Sequence, residues 1–188
     1  MHARLGKRHW SLPMPPAALL EIDDLALTQL ASNSQHCCFA LGNIVVTRSL
    51  VPPDAAYLPE WTSAILRYGE DHPQGLGLLV LIDENAPPPP GELERSAIKA
   101  AYVAVRPVVR CAVQVVEGEG FAAAAKRSVL MIINLATAIG YPIRVTGNVA
   151  EATKVLHKLL GPAMSAEIDV AALSRIADRM REQQRMGS

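Results

Sequence analysis

The sequence predicts an α/β protein: a mostly parallel sheet of about five strands, opened by an antiparallel hairpin, with helices on the sheet and an extra C-terminal helix. Three observations predict it. Two strand-like runs, 35–41 (QHCCFAL) and 44–50 (IVVTRSL), flank Gly42-Asn43, a two-residue break of the kind that turns a hairpin. Two runs without alternation, 76–82 (LGLLVLI) and 108–116 (VVRCAVQVV), fit strands covered on both faces. Between them lie stretches with three- and four-residue apolar spacing, and strand–helix–strand units of this length impose parallel neighbours.

Residues 1–19 are basic and rich in proline, with no periodicity, and predict a tail rather than a leader peptide, because Pro13, Pro15 and Pro16 interrupt any apolar core. Residues 20–30 are short, apolar and acidic, and fit helix and strand equally. The hairpin follows, closed by Pro52-Pro53-Asp54. Leu58, Trp61, Ile65 and Tyr68 then mark an amphipathic helix, with Pro59 in its first turn, where a missing N–H costs little. After the strand at 76–82 comes Asp83-Glu84-Asn85-Ala86 and the four prolines 87–90, a stiff loop. Residues 91–105 read as a helix ended by Pro107, and 141–146 as a short last strand. Asn148 with Glu151 three residues on has the spacing of a capping box, and Gly161-Pro162 ends that helix. Residues 165–185 carry Ile168, Ala172, Ile176 and Met180 on one stripe, an amphipathic helix that needs a surface to lie against. The predicted organisation is thus a tail (1–19), an α/β domain (20–161) and a C-terminal helix (162–186).

With 18 basic and 18 acidic side chains in 188 residues, no overall field draws the chain to nucleic acid or anionic lipid. Three cysteines, two of them adjacent, argue against a disulfide framework and for a reducing cytoplasm. The most apolar stretch, 121–139, contains Lys126, Arg127 and Asn134 and predicts no membrane span.

The hairpin, GLGLLVLIDE, CAVQVVEGEG and the order of elements over 35–160 resemble the sulfate-transporter and anti-sigma-factor-antagonist (STAS) domain and the wider SpoIIAA-like superfamily. Members of that family commonly carry a phosphorylatable serine in the loop after the central strand. Here the loop DENAPPPPGELERS offers no hydroxyl before Ser96, inside the predicted helix, so the serine switch is expected to be absent. The resemblance implies a small regulatory or scaffolding domain that binds a partner protein or a small ligand, without catalysis; no cofactor is expected, and the apolar surface of the long helix at 121–139 favours a homo-oligomer.

Two sets of residues are the candidates for function. Asp83, Glu84 and Asn85 leave one predicted parallel strand and Glu117 and Glu119 its neighbour, on the rim where open α/β sheets bind ligands. Such carboxylates suit Mg²⁺, acid/base work or a basic partner, although solvated loop charges have the same appearance. The second set is the long helix at 121–139. On a wheel advancing about 100° per residue, Lys126, Arg127, Leu130, Asn134 and Thr137 share one sector and the rest is apolar. That is more apolar surface than one sheet face requires. Phe121, Ala125, Val129, Ile132, Leu135 and Ile139 are therefore expected to lie under the C-terminal helix, at a subunit interface or beside an apolar pocket.

Three chemical readings fail on the sequence. Gly118-Glu119-Gly120 lacks the rest of a phosphate-binding motif, and its glutamates repel phosphate. A phospho-receiver wants a lysine after the last strand, where Arg144-Val145-Thr146-Gly147 has none. Cys37 and Cys38, neighbours on a strand, face opposite ways and make no metal pair, so no metal site and no catalytic set is expected.

Overall fold

The computed structural model describes residues 18–22, 25–54, 56–83, 86–87, 91–136 and 138–186. Among them, seven strands form one sheet whose spatial order is the order of the sequence: β1 (Ala18–Ile22), β2 (Leu25–Ser32), β3 (His36–Leu41), β4 (Ile44–Ser49), β5 (Leu76–Ile82), β6 (Val109–Val116) and β7 (Ile143–Thr146). β1 to β4 pair antiparallel and β4 to β7 pair parallel. The class is the one predicted. The additional strands are β1 and β2, from the stretch that fitted helix and strand equally, and β1 takes in Ala18 and Leu19 from the predicted tail. Residues 1–17 lie outside the described residues.

Three helices join the parallel strands: α1 (Tyr57–Glu70), α2 (Glu92–Ala104) and α3 (Gly120–Ala136). Each connection advances one strand in the same direction, so right-handed crossovers place all three on one face. There α1 and α2 bury Trp61, Ile65 and Tyr102 against Ala40, Val45, Leu78 and Ala112. The other face is covered by α4 (Val149–Leu160) and α5 (Val170–Met186), with Leu156, Leu173, Ile176 and Met180 against Phe39, Val46, Leu79 and Val113. The predicted C-terminal helix is thus an integral part of the second core layer: Leu173, Ile176 and Met180 are all at most 1% exposed.

Local chemistry explains the boundaries. Asp54 Oδ1 accepts from the N–H groups of Ala56 and Tyr57 and fixes the start of α1. At α4, Asn148 Oδ1 accepts from Glu151 N–H at 2.8 Å, while the Glu151 carboxylate reaches back to Gly147 N–H rather than to Asn148's own. Gly161, at φ +55°, closes α4, and Asp169 caps α5 through Ala172 N–H. The hairpin turn has a second role. Asn43 is fully buried, donates to the carbonyls of Gly75 and Ala163, and accepts from Ser165 N–H. It thereby ties the turn to the start of β5 and to the α4–α5 connection.

Candidate functional site

In the described sheet the strand order never reverses from β4 to β7, so it has no topological switch point of the kind at which other open α/β sheets bind ligands. The rim acids lie accordingly. Arg48, 4% exposed on the α4–α5 face, forms an ion pair with Asp83 at the end of β5. Arg181 of α5 pairs with Glu117 at the end of β6 and also with Asp178. Glu119 is exposed, and Glu84 and Asn85 lie outside the described residues. Two of the predicted rim acids thus hold structure together, and among the described residues no group of three His, Cys, Asp or Glu could hold a metal.

Helix α3 has its polarity reversed. The sector of Lys126, Arg127, Leu130 and Asn134 faces the protein instead of solvent. Arg127 donates to the carbonyls of Val116 and Gly118, at 3.1 and 3.2 Å, where β6 ends. Asn134 Nδ2 donates to Gln114 Oε1, and Lys126 Nζ to the Ala86 carbonyl. The apolar side faces outward: Phe121 is 91% exposed, Ile132 66%, Met131 47% and Val129 43%. Ala122, Ala124 and Ala125 are exposed among them. The expectation that this surface lies under the C-terminal helix is therefore corrected, since α5 sits on the opposite face. Ile139 separates from its predicted set as well, because α3 ends at Ala136 and Ile139 is buried with the α1–α2 core. The side chain of Leu135 lies outside what the structure describes.

Beneath the inner side of α3 lies an apolar cleft of about 190 Å³, walled by α1, α2, α3 and the strand ends. Tyr57, Leu58 and Trp61 come from α1, Ile98 and Tyr102 from α2, Lys126 and Leu130 from α3, and Thr47, Val80 and Gln114 from the sheet. Most of its polar groups are partnered. Thr47 Oγ1 accepts from Trp61 Nε1 at 3.0 Å and donates to Cys38 Sγ, and Tyr102 bonds Gln114. Behind that wall, the Tyr57 hydroxyl has essentially no accessible surface and no hydrogen-bond partner among the described residues. Its ring stacks on His36, centroids 4.2 Å apart. Burial first, then the neighbouring Cys38 and Cys37, pushes the Tyr57 phenol well above its usual range, so it stays a neutral donor. Burial likewise lowers the His36 pKa, against a weaker pull from Asp54, and favours the neutral ring.

An apolar pocket beside 121–139 was one of the expectations the sequence raised, but these lining residues were not among them. The legible signal was compositional. In a chain with 4% aromatic residues, Tyr57, Trp61 and Tyr102 sit on two consecutive helices of one sheet face.

No family model matches this chain, and no curated protein is significantly similar to it. Among the described residues, no helix is long and apolar enough to cross a membrane.

Proposed function

We propose that this chain is a non-enzymatic, STAS-like regulatory or scaffolding domain that works by self-association through α3. The reversed polarity of that helix carries the reading. A helix packed on a sheet normally turns its polar sector to water. Here Arg127, Asn134 and Lys126 are held against the protein and Phe121, Val129, Met131 and Ile132 point away from it. Contiguous exposed apolar surface of this kind marks an interaction site. A second copy is the occupant that fits. No charged side chain of α3 is on the outward face, so it offers nothing for an oppositely charged partner to read, whereas an isologous contact needs only self-complementarity. Ala122, Ala124 and Ala125 permit close backbone approach, and the formal net charge of zero sets up no repulsion between copies. The three free cysteines are buried, which supports a reducing, cytoplasmic setting.

Size-exclusion chromatography with light scattering tests this reading. The wild-type chain is expected to run as a dimer or larger. Phe121→Ser with Ile132→Ser should weaken association at least about a hundredfold, because each buried large apolar side chain contributes about 1.5–3 kcal/mol. A wild-type protein that stays monomeric at high micromolar concentration would sink it.

A second reading rests on the cleft, whose largely apolar walls suit a small ligand. Native mass spectrometry of freshly purified protein should then show co-purified mass, and bare protein mass argues against a retained ligand.

A further inference from the structure

We infer that two copies of the chain pair through α3 in an antiparallel sense, about a two-fold axis passing between Ala125 and Ser128, so that Phe121 of each copy packs against Ile132 of the other. This rests on the self-association proposed above and adds the orientation and register of the contact.

Helix geometry sets the seam. At about 100° per residue, Phe121, Ala125, Ser128 and Ile132 fall within roughly 60° of one another, at a spacing of four, three and four residues. All four are exposed, and Phe121 and Ile132 are the most exposed large apolar side chains of α3 among the described residues. Ala122 and Val129 flank this seam on one side, Ala124 and Met131 on the other, and these too are exposed. The seam carries one polar side chain, and its hydrogen bond is internal. Ser128 Oγ donates to the Ala124 carbonyl at 3.0 Å, so covering the seam strands no hydroxyl.

Size then selects the orientation. In an antiparallel pair each flank meets its own copy end for end, which sets Ala122 beside Val129 and Ala124 beside Met131, with Ala125 and Ser128 facing at the centre. Small meets large along both flanks, and the two axes can keep the usual separation of about 8–10 Å over the whole contact. A parallel pair joins like with like along the seam and sets Ala122 against Ala124 and Val129 against Met131. The bulk would then crowd the C-terminal half and leave voids beside Phe121, and both overpacking and voids are unfavourable.

Charge selects the same orientation. Glu119 is exposed immediately before α3, and the exposed Arg106 lies against Gly140, beyond the other end of the helix. Antiparallel pairing brings Glu119 of one copy to the end of the contact where Arg106 of the other lies, whereas parallel pairing brings the two Glu119 carboxylates together. The helix dipoles also oppose one another in the antiparallel pair.

Disulfide mapping on the full chain tests the inference. Ala122→Cys, Ala124→Cys and Met131→Cys leave Phe121 and Ile132 in place, and the native cysteines are buried. The variants are mixed in pairs, oxidised mildly, and the linked species identified by mass, with light scattering reporting association of each. In the antiparallel register positions 124 and 131 of different copies lie about 3 Å apart along the axis, and two copies of position 131 about 13 Å apart. The mixed 124–131 disulfide is therefore expected to exceed either homodisulfide about tenfold or more, because Cα atoms more than about 7 Å apart are not bridged. The pair Ala122→Cys and Val129→Cys reads the same register on the other flank. A mixed 122–124 disulfide in place of 124–131 means parallel helices, and overturns this inference while leaving self-association through α3. Association by light scattering with no disulfide in any mixture overturns both this inference and the role of α3. A wild-type chain that stays monomeric overturns the inference together with the reading it rests on.

Discussion

Replacing Asn43 by alanine isolates what holds the hairpin turn to both neighbouring layers. The amide donates to Gly75 O at 3.2 Å and Ala163 O at 2.9 Å and accepts from Ser165 N–H at 3.2 Å, on a residue with no exposed surface. Each such bond is worth about 1 kcal/mol net, and a buried carbonyl left without a partner costs about 1–3 kcal/mol. The bond to Gly75 is fully buried, whereas Ala163 and Ser165 lie where water can partly replace the amide. The expected loss is therefore about 3 kcal/mol, or about 6–12 °C in Tm for a chain of this size. Urea unfolding followed by circular dichroism measures it, with an unchanged m-value showing that the native fold is kept. Asn43→Asp sharpens the test. It keeps the acceptor for Ser165 but points a carboxylate at two carbonyls, which raises the carboxyl pKa in the folded state. That variant should be most stable below about pH 4 and lose stability as pH rises through the raised value. A loss below about 1 kcal/mol for Asn43→Ala would refute the role given to this side chain.

Three further outcomes follow from the packing. Gly69 sits inside α1, where alanine ordinarily gains about 1 kcal/mol, but a Cβ there would lie 2.4 Å from Val108 Cβ. Gly69→Ala should therefore destabilise in chemical unfolding, and should cost much less in a Val108→Gly background, where the Cβ, Cγ1 and Cγ2 atoms it meets are all gone. Burial pushes the Cys37 and Cys38 thiols up to about 12 and Cys111 to about 11, so at pH 8 a disulfide reagent should modify them only at the rate of unfolding. Because those values are raised, the thiols contribute full stability below the unfolded-state value of about 8.5 and lose it as pH climbs through 11 to 12. Arg181→Ala removes the partner of a half-buried Glu117 and should cost about 1–2 kcal/mol, read as increased hydrogen exchange along α5.

Patterning carried the parallel half of the fold because local signals and tertiary structure agree there. Asp54, Asn148 and Gly161 mark helix ends by side-chain bonds or a positive φ that no tertiary contact has to override. β1 and β2 were ambiguous for a physical reason: residues 20–30 form a short apolar run, and periodicity cannot separate a short buried strand from a buried helical segment. The reversal of α3 was hidden differently. Its wheel was readable, but which sector meets water is decided by acceptors distant in sequence, the carbonyls of Val116 and Ala86 and the amide of Gln114. The rim acids were legible as a cluster and not as ion pairs, because Arg181 reaches Glu117 from an element 64 residues on. The cleft forms only where α1, α2 and α3 meet the sheet, so its composition was visible and its assembly was not.

The central claim is that the outward face of α3 meets a second copy of the chain. Mixing isotope-labelled with unlabelled protein and recording intermolecular nuclear Overhauser effects tests it at residue level. Contacts should appear at the methyl groups of Val129, Met131 and Ile132 and be absent at Leu156 and Ile176, which are buried in the α4–α5 layer. No intermolecular effects at high protein concentration, or effects confined to another surface, would contradict the account.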